Sequence, residues 1–372
     1  MKHYKWLLCA ILLLMASTAS IARDMSTKSK VDVEEILWGH IKDSYEWHLT
    51  DIEKEGHHHP VVIHLPIIVK SSTGWHIFSS AEFAEGHGGH ADRPGPYNLV
   101  IKNAKDKNNP NVIVEKMPDG SEVRPLDLSI TKTVCTLFID AILLLIVILI
   151  PARWCKKHKP EDPAPKGFVG LMHMFIMNIY DEVLKPCLGK DTPRFAPWLL
   201  TCFFFIFFAN LMGLVPFPPG GGNLTGNIAC TLFFGLCTFV VTNVTGTKEY
   251  WKEIFWPEVP TWMKFPIPLM PFIELFGIFT KPLALTIRLF ANMLAGHAIA
   301  LAFMAIIFIM FGIADNAIAN WSVGSGVAVI NVLMSVFMML LELLVSYIQA
   351  LVFTMLSAVF ISQSQIRHHG AH

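Results

Sequence analysis

Two apolar runs, Pro271–Phe311 and Val327–Gln363, leave this chain very few possible folds. As helices they would measure about 60 Å and about 55 Å at roughly 1.5 Å per residue. The hydrocarbon core of a bilayer is only about 30 Å thick. Each run must therefore tilt strongly or course nearly along the membrane plane. Pro282 can kink the first, but the stretch beyond it still exceeds a perpendicular crossing. The polar connection 312–326 makes the two an antiparallel pair.

The first run carries a charge in an expensive place. Arg288 lies more than fifteen residues from either end, and a guanidinium stays protonated in any protein environment. At mid-membrane it costs about 2.5–3.5 kcal/mol on insertion scales. Snorkelling is the ordinary explanation, but the distance to either end disfavours it, so Arg288 reads as part of an ion pathway. Glu274, Lys281 and Arg288 are seven apart and share a face, with Asn292 one turn beyond. On the second run Glu342 and Gln349 are again seven apart. Lipid cannot host these groups, so the faces should meet each other, a neighbouring span or water.

A register follows from the antiparallel arrangement. His297 falls about 13 Å outward of Arg288 and Glu342 about 10 Å outward of Gln349. Docking then sets His297 against Glu342 and Gln349 near Arg288. An imidazole and a carboxylate in reach of each other can exchange protons near neutral pH. The alternative, a lone hydrogen-bonded helix histidine, loses ground because Glu342 falls at a compatible depth. Asn292 and Gln349 serve equally well as interhelical hydrogen-bond partners. Glu274 and Lys281 can form a two-turn ion-pair network or line a path. Asp140, about two turns into an earlier span, can line an entry path or be structural. Asn227 is a further candidate lining residue.

The rest of the chain supplies the frame. Hydrophobic residues make up 53% of it and charged ones 16%, which places it among polytopic membrane proteins. Residues 1–22 combine a basic start, a ten-residue apolar core and a small-residue exit, as in a secretory signal peptide; an uncleaved anchor is the alternative. Residues 23–128 are polar and contain nine of the sixteen histidines, His40 to His90. They read as a small exported α+β domain, helical over 31–47, with strands at 61–69 and 75–80 and a loop at 85–98. No histidine spacing matches a defined metal site, so a polar surface is preferred to metal binding. The membrane domain is expected over 129–372. A first span covers roughly 133–151, and the cations Arg153, Lys156, Lys157 and Lys159 behind it mark the cytoplasmic side. Residues 166–188 fit an amphipathic helix on the membrane surface. Spans at about 197–215 and 227–246 follow, and with the two long helices the total is five.

Other function classes find little support. Net charge is zero, so nothing suggests nucleic-acid binding. No phosphate-binding, dinucleotide, metalloprotease or CxxC motif is present, and no cofactor is implied. A self-contained channel or transporter should show internal repeats or paired broken helices, and neither is visible. A membrane-anchored metal sensor built on the histidine-rich region leaves the two over-long helices unexplained.

At KPLALTIRLFANMLAGH, NLMGLVPF (210–217), TGNIACTL (225–232) and ELLVSYIQALVF (342–353), the chain resembles the a subunit of F-type ATP synthases, over roughly residues 129–366. The resemblance implies a non-catalytic, proton-conducting stator in the bacterial inner membrane, with a periplasmic N-terminal domain and a cytoplasmic C-terminus. Implied partners are a rotating ring of c subunits and the b subunits of the peripheral stalk, within the lipid bilayer. Arg288 would face the ionisable carboxylate of each c subunit, and Asn292, His297, Glu342 and Gln349 would line two half-channels. Many bacterial members carry Glu at the position of His297 and His at that of Glu342, so this chain holds the exchanged pair. A typical a subunit lacks the domain at 23–128.

Overall fold

The structure is a computed structural model that describes residues 43–54, 57–83, 92–102, 111–159, 163, 165–215, 222, 224–255, 269–312 and 317–365. The expected signal peptide at 1–22 and the expected helix over 31–42 lie outside these residues. The chain divides into two compact units. The first contains the N-terminal residues through Phe138, and the second is built from 139–215, 223–300 and 336–372.

Before Lys132, the described residues of the first unit are β-structure with one 3-10 turn, Ser80–Glu82. Its strands are β1 (Glu46–Lys54), β2 (His57–His64), β3 (Pro66–Ser71), β4 (Gly74–Ser79), β5 (Arg93–Pro94), β6 (Leu99–Ile101), β7 (Ile113–Lys116), β8 (Glu122–Val123) and β9 (Leu126–Asp127). They form a β1-β2 ribbon, a β4-β3-β9 sheet and a β5-β6-β7-β8 sheet, every pair antiparallel. The strand expected at 61–69 is divided between β2 and β3 at Leu65, and that expected at 75–80 is β4, which ends at Ser79. Part of the expected loop is not a loop, because Arg93 and Pro94 pair with Ile101 and Val100. The helix expected to run to Trp47 is also corrected: Glu46 and Trp47 open β1, with Trp47 buried. Alternation within the two larger sheets turns Ile67, Val69 and Phe78 toward Leu99, Ile101 and Ile113 in one core with Tyr45 and Phe83.

The helices follow from Lys132 onward: α1 (Lys132–Lys157), α2 (Phe168–Asn178), α3 (Thr192–Leu214), α4 (Ile228–Val244), α5 (Lys248–Phe255), α6 (Leu269–Gly312) and α7 (Ala317–Ser364). Among the described residues three helical stretches are long and apolar enough to cross a membrane, or four if α4 and α5, bent by 101°, form one span. Helices α6 and α7 have 44 and 48 residues, about 66 and 72 Å at roughly 1.5 Å per residue. Both long runs are thus single helices, and α6 continues through Pro282. There Thr286 Oγ1, one turn on, donates to the Pro282 carbonyl at 3.1 Å.

Residues 166–188 were expected to form an amphipathic helix on the membrane surface. Within them α2 folds back along α3, through a π turn at Ile179–Leu184 and a left-handed Gly189 (φ 55°). The Phe175 and Phe207 rings sit 6.4 Å apart although 32 residues separate them in sequence. Tyr347 of α7 packs 6.0 Å from Phe175, Phe203 and Phe207. Ile179, Leu184, Leu199, Phe203 and Ile206 are fully buried with Leu289 and Ala350. One side of the segment packs against other helices through these rings, while Phe168, Leu171, Met174 and Met177 stay exposed.

Helix α4 reaches α6 through Gly235. A Cβ there would overlap Thr286 Oγ1 and meet the Pro282 carbonyl at 3.1 Å. Gly235→Val should therefore destabilise the bundle by about 1–3 kcal/mol through overpacking. The thermal midpoint of the detergent-solubilised protein measures this, and an unchanged midpoint would show that the contact is not tight.

Candidate functional site

The polar residues of α6 and α7 gather in the second unit. Asn292 Nδ2 donates to Gln349 Oε1 at 2.8 Å. Gln349 is buried, whereas Asn292 remains accessible. Gln349 had been expected beside Arg288, and its hydrogen bond goes one turn farther, to Asn292. Glu342 lies against the backbone of α6 at Gly296, where an added Cβ would come within 3.0 Å of Glu342 Oε1. The missing side chain at 296 lets a carboxylate approach the helix axis closely. His297 follows in the same helix, and its side chain lies outside the described residues.

Arg288 is on the accessible side of α6, and among the described residues it makes no ion pair. Its exposed neighbours on that side, Ala284, Ala291 and Ala295, stand at helical spacings of three and four. A cation thus projects from an accessible face where three alanines stand beside Asn292 and the exposed Ile287. Another helix can approach closely at the alanines, because little side-chain bulk holds it away there.

The remaining candidates are dispersed. No ion pair joins Glu274 and Lys281 among the described residues, so the expected two-turn network is not formed. Lys281 Nζ donates to Gln363 Oε1 at 3.2 Å and lies 5.6 Å from the Phe360 ring, while Glu274 is close enough to Tyr250 to act on it electrostatically. Asn227 caps α4, its Oδ1 accepting from Ala229 N at 3.0 Å. That gives it a structural task independent of any channel. Asp140 on α1 is 1% exposed, and neither carboxylate oxygen has a hydrogen-bond partner. Cys230 of α4 is near enough to feel its charge. A buried carboxyl with no donor is unfavourable by several kcal/mol if ionised, on the order of other unpaired buried charges.

Sequence reasoning passed over one connected group. Asn210 of α3, fully buried, accepts from Thr225 Oγ1 at 2.6 Å and donates to the Ser346 carbonyl at 3.4 Å. Ser346 lies between Glu342 and Gln349 on α7, and its hydroxyl is buried without a partner. The only available sequence signal was an amide inside an uncharged apolar span, since an unpaired amide there would be costly. Among the described residues, no group of three or more His, Cys, Asp or Glu could hold a metal ion.

The comparisons with known proteins agree on one lineage. Residues 134–362 match the family described as ATP synthase A chain. Residues 36–128 match a family described as a domain of unknown function. The chain is 38% identical over 255 residues to ATP synthase subunit a of Myxococcus xanthus, covering 66% of this chain and 77% of that one. It is 37% identical over 304 residues to ATP synthase subunit a 2 of Chlorobaculum tepidum, covering 79% and 80%. The figure is 39% over 250 residues for ATP synthase subunit a of Chlorobium phaeobacteroides, covering 66% and 68%.

Proposed function

Since this chain belongs to the ATP synthase A chain family, and is thereby the proton-translocating subunit of the membrane sector of an F-type ATP synthase, we propose that the Arg288 face of α6 is the surface it turns toward the rotating c subunits. The chain is a multi-pass helical membrane protein and works with the other subunits of that complex. The observation that carries the proposal is the accessible guanidinium, without an ion pair among the described residues, beside the small exposed residues Ala284, Ala291 and Ala295.

In this reading a c-subunit carboxylate passes Arg288 in close contact. The fixed cation favours the ionised form and drives proton release on approach. It also separates two half-channels, because a proton moving past a permanent positive charge meets an electrostatic barrier. His297 and Glu342 load protons on the outer side, Asn292 and Gln349 hold the helices in register, and Glu274 and Lys281 line the exit toward the cytoplasm. Asp140 receives protons at the entry, which would account for a buried carboxyl without a donor. Asn227 borders that entry.

The topology belongs to the same proposal. Residues 1–22 act as a signal peptide, 23–128 form a periplasmic domain and 129–372 make the membrane domain. Five spans lie in the inner membrane with the C-terminus in the cytoplasm, following the basic cluster after α1. The b subunits of the peripheral stalk hold the chain against the turning ring. No bond-making chemistry falls to this subunit.

Contact with the ring can be read directly. A photo-crosslinking residue in place of Ala291 is expected to capture the c subunit in the assembled complex. Capture of phospholipid alone would mean that this face looks into the bilayer, and the assignment would fail.

A further inference from the structure

The β4-β3-β9 sheet buries one face and leaves the other bare. Ile67, Val69 and Phe78 are buried on the inner side. On the outer side Trp75 is 55% exposed, Ile77 75%, Leu126 56% and Leu128 57%. The register makes these one patch: Ile77 is opposite Ile68, Trp75 and Leu126 are both opposite Lys70, and Leu128 N donates to Ile68 O at 2.9 Å. Contiguous apolar surface of this kind on a water-exposed domain marks an interaction site.

The charge on the patch points to what covers it. Lys70 is exposed on this face, with Nζ 5.8 Å from the Trp75 ring centre. Asp127, the one carboxylate on these three strands, is turned away and accepts from the buried Tyr45 hydroxyl at 2.5 Å. The face thus offers tryptophan, aliphatic side chains and a cation, without a carboxylate to repel phosphate. Tryptophan and lysine are the side chains that settle at membrane–water boundaries.

The position of the sheet supplies the bilayer. Ile130 N donates to Pro66 O at 3.1 Å, Lys132 N to Ser44 O at 2.9 Å and Thr133 N to Asp43 Oδ1 at 3.0 Å. The first bond holds β3 to the residue two before α1, and the others fix the start of α1 to the segment whose Tyr45 bonds Asp127 of the sheet. Leu128 precedes Lys132 by four residues, at most about 14 Å of extended chain. The headgroup region adds roughly 5–8 Å on each side of the hydrocarbon core. Apolar groups held this close to the start of a span can reach it.

We propose that the outer face of β4-β3-β9 rests on the leaflet that α1 enters. Trp75, Ile77, Leu126 and Leu128 sit in the headgroup–acyl boundary, and Lys70 sits at the lipid phosphates. The domain is then fastened to the membrane twice, by the span and by the sheet. The proposal rests on α1 being a membrane span.

Photo-crosslinking in the full chain, assembled in its complex and reconstituted into phosphatidylethanolamine–phosphatidylglycerol vesicles, tests it. p-Benzoylphenylalanine is placed at Ile77 in one sample and at Ile142 of α1, also exposed, in another. Mass spectrometry of the labelled peptides then identifies what was captured. A phospholipid adduct at both positions is the expected result. Lipid at 142 with a protein adduct at 77 would overturn the proposal in favour of a subunit interface. Lipid at 142 with no adduct at 77 would overturn it by leaving the face in water. Absence of lipid at 142 would instead overturn the span assignment of α1.

Discussion

Arg288→Ala is expected to abolish proton-driven ATP synthesis while the complex still assembles. The guanidinium is accessible and makes no ion pair among the described residues, so removing it breaks no internal salt bridge and opens no core cavity. The neighbouring Leu289 and Leu285, which face the core, are unaffected. What disappears is the permanent charge that ionises the passing carboxylate and blocks direct flow between the half-channels. Synthesis should fall to background, and passive proton leak should rise. Inverted membrane vesicles report both quantities, and co-purification of the remaining subunits reports assembly. Synthesis that persisted in an assembled Arg288→Ala complex would end the assignment of this residue.

The second large effect concerns the proton-loading pair. Glu342 packs against α6 at Gly296, immediately before His297. If imidazole and carboxylate exchange protons directly, which group stands on which helix matters less than having one of each. His297→Glu alone places two carboxyls together, and Glu342→His alone places two imidazoles together. Each should lower proton-driven synthesis on the order of a hundredfold, the low end for a positioned proton-transfer group. The double exchange should recover most of that loss, because the coupling between contacting residues is not additive. A double variant no better than either single would rule out direct exchange between the two.

Particular residues mark how far the sequence could be read. The limits of α6 and α7 were legible to within about two residues at the first and at the end of the second, because hydropathy in a bilayer is a property of each segment alone. Glu342 and Gln349 were recognisable as one face for the same reason: helical spacing is local. The Asn292–Gln349 hydrogen bond was not, since its register depends on how two helices slide past each other. Asn210 shows the same limit, as its partners Thr225 and Ser346 are 15 and 136 residues away. The doubling back of α2 was missed because Phe175 and Phe207 announce their contact only once the turn at Gly189 is formed.

By itself, then, the sequence determined that the chain is a multi-pass helical membrane protein, which helices exceed the thickness of a bilayer, and where charges must be sheltered. Those conclusions follow from transfer free energies and chain geometry, which act residue by residue. Only the tertiary structure decided that Gly296 makes room for Glu342, that Arg288 stands on the accessible side of α6, and that an apolar sheet face sits beside the start of α1. Each depends on atoms brought together across long sequence separations, where packing rather than composition chooses the partner.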